Sequence, residues 1–124
     1  MQNLDLECAK LGRELVELKV KEKFVEEKVL TAALGVLEEQ GPYACFLYLK
    51  AREGGVGETI AKKAAQFLAT TVGVENSEQD PLQVVQTLAS DLDRLLFARD
   101  LLRQAFVYAR YHVKARSEVG GAEP

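Results

Sequence analysis

Catalysis needs a nucleophile, a base and an orienting group within reach of one another, and the residues of this chain that could supply them are dispersed. His112 is the only histidine, with no second histidine, cysteine or close carboxylate to complete a metal site or a triad, so a solvent-exposed helix position is expected for it. Cys8 and Cys45 stand far apart without CxxC spacing, which suits small buried apolar side chains rather than a disulfide or a zinc site. The pairs Glu26-Glu27 and Glu38-Glu39 are adjacent residues on helical stretches and point to different faces, the wrong arrangement for sharing a proton. Gly54-Gly55-Val56-Gly57-Glu58-Thr59 imitates a phosphate-binding loop, but Glu58 holds the lysine position, Arg52 holds the upstream glycine position, and a helix precedes it instead of a strand. It reads as a loop linking two helices. No catalytic residue, metal or cofactor is expected.

The cations are better organised. Between Arg94 and Arg116 lie Arg94, Arg99, Arg103, Arg110, Lys114 and Arg116 against Asp100 alone, so this segment is net +5 within a chain of net charge −3, and the remainder is −8. On a helical wheel of 100° per residue, Arg99, Arg103, Arg110 and Lys114 fall within a narrow arc. Such a ridge can grip a phosphate backbone without reading sequence, since guanidinium and ammonium groups contact phosphates and release counterions. Pairing with the abundant glutamates is the competing use of the same residues. Tyr108 and Tyr111 lie close enough to stack on bases or simply to pack.

The elements that must position this ridge are helical. Leu4, Cys8, Leu11, Leu15 and Leu18 are spaced 4, 3, 4, 3 and form one apolar stripe, with a break expected near Lys21 to Phe24. Val25, Val29, Ala32 and Val36, flanked by Leu30, Ala33, Leu34 and Leu37, give a second helix with a broad apolar arc, stopped at Gly41-Pro42. A third helix from Pro42 to about Arg52 has little polar face and should be mostly buried. Ile60 to Val72 forms a fourth, ending at Gly73; Glu75 to Asp80 is a polar loop; Asp80 caps a short helix begun by Pro81. Ser90, with Asp93 three residues on, resembles a capping box and opens a long final helix to about Arg116. Its wheel sets Leu92, Leu95, Leu96, Leu102, Phe106 and Val113 on one side and Phe97, Leu101, Tyr108 and Ala115 on the other, so two packing partners are implied, the second being another helix or another subunit. No strand of four or more alternating residues is present.

The fold class that follows is all-α: a compact bundle of five to six helices with a long basic C-terminal helix, one domain over residues 1–117 and a frayed, disordered tail over 118–124. At 124 residues, 48% apolar and 28% charged, the chain can bury one core and is far from the composition of disorder. Without a run of about 20 apolar residues or a basic-then-apolar start, a cytoplasmic protein with no membrane association is expected. The net acidity argues against a free-standing, high-affinity nucleic-acid binder.

Three blocks resemble a known family: the opening helix from Cys8-Ala9-Lys10, the helix-stop-helix Val36-Leu37-Glu38-Glu39-Gln40-Gly41-Pro42-Tyr43-Ala44-Cys45-Phe46-Leu47-Tyr48-Leu49-Lys50, and the arginine-bearing last helix. Together they are similar to the small helical subunit of type III CRISPR RNA-silencing complexes, most closely the Cmr-type (III-B) subunit; the Csm-type (III-A) small subunit shares size, helicity and role. Gln40-Gly41, Ala44, Phe46-Leu47 and Lys50 match the family's middle block, while Pro42 and Cys45 depart from it. The resemblance implies a non-catalytic subunit that stacks with copies of itself and other effector subunits along guide and target RNA. It adds Lys50 to Arg99, Arg103, Arg110 and Lys114 as RNA-facing candidates. The reading set against it is a helical protein-interaction or dimerisation adaptor without RNA binding.

Overall fold

The computed structural model describes residues 4–20, 23–73 and 80–122, with the side chains of 19, 20, 23 and 116–122 left aside. Six helices run through these residues: α1 (Leu4–Glu17), α2 (Glu27–Gln40), α3 (Pro42–Arg52), α4 (Gly54–Leu68), α5 (Pro81–Leu88) and α6 (Leu92–Ala122). The all-α bundle expected from the apolar periodicity is the fold. A two-residue antiparallel ladder, β1 (Lys19–Val20) against β2 (Lys23–Phe24), sits at the expected break after α1, pairing Lys19 with Phe24 and Val20 with Lys23. It is too short for any alternation of apolar residues to announce it. Positions 21 and 22, and the expected polar loop over 75–79, lie outside the described residues.

Local chemistry sets most of the boundaries. At Gly41 the backbone turns left-handed (φ 97°), a conformation nearly free of cost only for glycine. The Gly41 N–H closes on the Leu37 carbonyl at 3.0 Å, and Pro42 begins α3 at once. Asp80 caps α5 by accepting the Leu82 N–H at 3.1 Å, with Pro81 in the first turn. The capping box expected at Ser90 is corrected. The Ser90 hydroxyl turns back to the Thr87 carbonyl at 2.8 Å, and Asp91 is the cap of α6, its carboxylate accepting the Arg94 N–H at 3.3 Å. An aspartate one residue along reaches the third N–H of the helix, which Ser90 does not.

The glycine-rich segment is not a loop. Gly54 (φ 60°) reverses the chain straight out of α3, and Gly55, Val56 and Gly57 form the first turn of α4. A Cβ at Gly57 would collide with the Leu49 carbonyl oxygen and sit 2.6 Å from Glu53 Cβ, so that glycine serves helix packing. After Leu68 the chain widens into a π turn, Ala69–Gly73. The guanidinium of Arg94 donates to the Val72 and Gly73 carbonyls at 3.2 and 2.6 Å, satisfying oxygens that the end of a helix leaves open.

The core is apolar throughout the described residues, with no buried polar or charged residue. Phe46, Phe106, Leu15, Leu30, Leu37 and Ile60 are its largest sealed side chains, each contributing about 1.5–3 kcal/mol by leaving water. α6 is the axle, with α1 and α2 packed along it. Cys8 and Gly12 of α1 meet Leu101, Ala105 and Ala109, where the Cys8 thiol donates to the Leu101 carbonyl at 3.6 Å. α3 is less buried than its composition suggests: Cys45, Phe46 and Leu49 face inward while Tyr43 and Leu47 are exposed. α6 continues to Ala122, past the end expected near Arg116 and into the stretch expected as a tail, of which 123 and 124 lie outside the described residues.

Candidate nucleic-acid interface

The four ridge cations lie along α6 beside α2, and α2 carries matching carboxylates. Glu27 and Glu38 are 11 residues apart, three helical turns or about 16 Å, on the same side of the helix. Arg99 donates from Nη2 to the Glu38 carbonyl oxygen at 2.7 Å, and Arg103 Nε lies 4.0 Å from the Glu38 carboxylate. At the other end Lys114 Nζ lies 3.9 Å from the Glu27 carboxylate. Pairing α6 residues 99 and 103 with 38, and 114 with 27, makes the two helices antiparallel. Their shared spacing was legible in the sequence, but only once α2 and α6 were known to be neighbours.

These contacts are not equal. The Arg99 bond is short and fixes its guanidinium to backbone. The ion pairs of Arg103 and Lys114 are long and about half exposed, a class worth roughly 0–1 kcal/mol, so a phosphate could displace either carboxylate at little cost. Arg110 differs from all three. It makes no ion pair among the described residues, and its buried Nε–H has no acceptor, an omission that forgoes about 1–3 kcal/mol. Arg110 lines a cleft of about 120 Å³ with Glu27, Val107, Tyr111 and Lys114, and Tyr111 is 67% exposed at its edge. Tyr108, by contrast, is used internally: its hydroxyl donates to the Asp5 carboxylate at 2.8 and 2.9 Å, a bond that raises the phenol above its ordinary value of 10.0. Lys50 is exposed in the last turn of α3, with no ion pair among the described residues.

The remaining reactive groups are turned inward or scattered. His112 is half-buried, not fully exposed as expected. Both thiols are buried; desolvation lifts Cys45 to about 12, and desolvation with the nearby Asp5 and Glu7 charges lifts Cys8 to about 11. Among the described residues no three His, Cys, Asp or Glu gather as a metal site would require, and no helix is long and apolar enough to cross a membrane. A wider cleft of about 370 Å³ between α1 and α4 carries Lys10, Arg13 and Lys63 beside Glu7 and Glu14, with Lys10 3.8 Å from Glu7 and Lys63 3.9 Å from Glu14.

A second kind of surface opens where α6 begins. Leu92 is 66% exposed and Leu96 45%, with Phe97 beside them. Nearby, Pro42, Tyr43, Val85, Ala89 and Leu95 line an apolar groove of about 310 Å³. The two packing partners expected for α6 are therefore divided along its length: α1 and α2 cover its middle, and one side of its first turns, at Leu92, Leu96 and Phe97, is open. The chain matches no protein-family model, no curated protein and no solved structure.

Proposed function

We propose that this chain is a non-catalytic structural subunit of an RNA-guided effector assembly of the type III CRISPR kind, the Cmr-type small subunit being the form its blocks resemble. The observation that carries the reading is the division of α6: an apolar start left uncovered at Leu92, Leu96 and Phe97, a middle locked into the core, and a cationic stretch over Arg103, Arg110 and Lys114. A helix built this way touches protein with one end and phosphate with the other. Contiguous exposed apolar side chains favour protein contacts, and cations held only by weak exposed pairs favour a polyanion that offers them full charges. The glutamates beside the ridge keep intrinsic affinity low, which suits a subunit that meets RNA as one of several in a row.

The same glutamates favour a second reading. With Arg99, Arg103 and Lys114 all engaged by α2, the chain would serve as a helical adaptor or dimerisation module that uses the apolar start of α6 and has no business with RNA. Purifying the tagged protein gently from its host separates the two. Repeat-derived guide RNAs with CRISPR-associated subunits support the effector reading, whereas one unrelated protein partner and no RNA supports the adaptor. Within a recovered ribonucleoprotein, Arg103→Glu with Lys114→Glu should weaken RNA retention and flatten its salt dependence; unchanged retention removes the ridge from the account.

A further inference from the structure

We propose that Arg110, Tyr111 and Lys114 form a single-nucleotide pocket, taking one phosphate between the two cations and laying the attached base on the Tyr111 ring. The proposal rests on the RNA reading above and places the contact at one end of the ridge. Four observations converge there. Arg110 is the ridge cation without a carboxylate partner among the described residues, and its side chain lines the cleft. Lys114, one helical turn further on, is held by a single 3.9 Å pair and can swing to the same anion. The cleft of about 120 Å³ between them has room for a phosphate group. Tyr111 leaves two-thirds of its surface in water at the cleft's edge, where a packing residue would be covered and a stacking platform would not.

The other ridge residues lack this combination. Arg99 is bonded to backbone at 2.7 Å, and Arg103 faces the Glu38 carboxylate at 4.0 Å. Glu27 lines the pocket as well and opposes an anion there, so binding requires Lys114 to exchange its long pair with Glu27 for the phosphate. Val107 supplies an apolar wall. Base stacking on an aromatic side chain is tolerant of sequence, so the pocket would hold the strand without selecting it.

The test uses the assembly purified through this chain, carrying photoreactive 4-thiouridine in its RNA, with cross-links mapped by mass spectrometry and RNA retention measured against salt. A cross-link at Tyr111, about tenfold weaker retention with Tyr111→Leu and with Arg110→Gln, and retention restored by Tyr111→Phe would establish the pocket. RNA present but cross-linked elsewhere on this chain, or retained equally by Tyr111→Leu and Arg110→Gln, overturns the pocket and leaves the RNA reading standing. An assembly recovered without RNA overturns both. Because Tyr111 is exposed, its replacement leaves the core intact, and circular dichroism of the variant checks this.

Discussion

Arg99 gives the Glu38 carbonyl oxygen the donor that Pro42 lacks. In α2 that oxygen would ordinarily accept from the residue four positions on, but that residue is proline and has no N–H; the guanidinium arrives instead from α6, at 2.7 Å. A residue that looked like part of a phosphate ridge is thus part of a helix terminus. Arg99→Leu should therefore destabilise the fold by about 1–2 kcal/mol, read as a lower urea midpoint at unchanged slope, while RNA retention by the assembly falls less than with Arg110→Gln. Equal stability with lost retention would return Arg99 to the ridge.

Glycine substitutions separate close packing from helix propensity. At Gly12 a Cβ would stand 2.8 Å from the Ala109 nitrogen and from Tyr108 Cβ, and 2.9 Å from the Ala105 oxygen, so α1 and α6 would have to part. Gly35, on α2, has nothing within 4 Å of the same added atom. Gly12→Ala is expected to cost about 1–3 kcal/mol despite its better propensity, and Gly35→Ala to gain about 0.5–1 kcal/mol. Thermal unfolding of the two variants beside the parent would show opposite shifts.

The thiols should be nearly inert while the chain is folded. With Cys8 raised to about 11 and Cys45 to about 12 from an ordinary 9.0, the thiolate fraction at pH 8 falls by about 100-fold or more. Alkylation by iodoacetamide should wait on unfolding, and both sites should label quickly in denaturant. A proton held more tightly by the folded chain than by the unfolded one adds stability below pH 9, and that contribution fades as the pH climbs through the folded values. Urea midpoints should therefore hold level toward pH 8 and drop above pH 9.

Leu92 and Leu96 touch the core little, being 66% and 45% exposed. Leu92→Glu with Leu96→Glu places carboxylates at the start of α6, where the helix dipole tolerates them. Stability should change by no more than about 0.5 kcal/mol, while association with the neighbouring subunits proposed above, followed by co-purification and sedimentation, should weaken at least tenfold. Unaltered association would show that the uncovered apolar face is not the contact.

What the amino-acid order disclosed, and what it withheld, follows from the range of the forces involved. Stops written in backbone chemistry were legible: Gly41-Pro42 and Asp80-Pro81 divide helices where expected, because φ restriction and a missing N–H act within a few residues. Gly54 and Gly57 were misread as a loop, since Gly54 turns the chain at φ 60° between two helices and Gly57 makes a close approach to Leu49 that has meaning only after α3 and α4 are packed. The ridge itself was visible on a wheel, but its division into Arg99 on backbone, Arg103 and Lys114 on carboxylates and Arg110 without an acceptor depends on which helix lies alongside. The exposure of Leu92 and Tyr111 was likewise hidden, because an apolar or aromatic letter does not say which side of the bundle it faces.

The dry interior has a consequence for how such a chain can change over time. With no polar side chain buried among the described residues, its centre asks for volume and shape but names no chemical partner, and aliphatic residues of similar size can trade places there at small cost. The tolerance ends at positions 12 and 57, where the room left between helices is smaller than a methyl group.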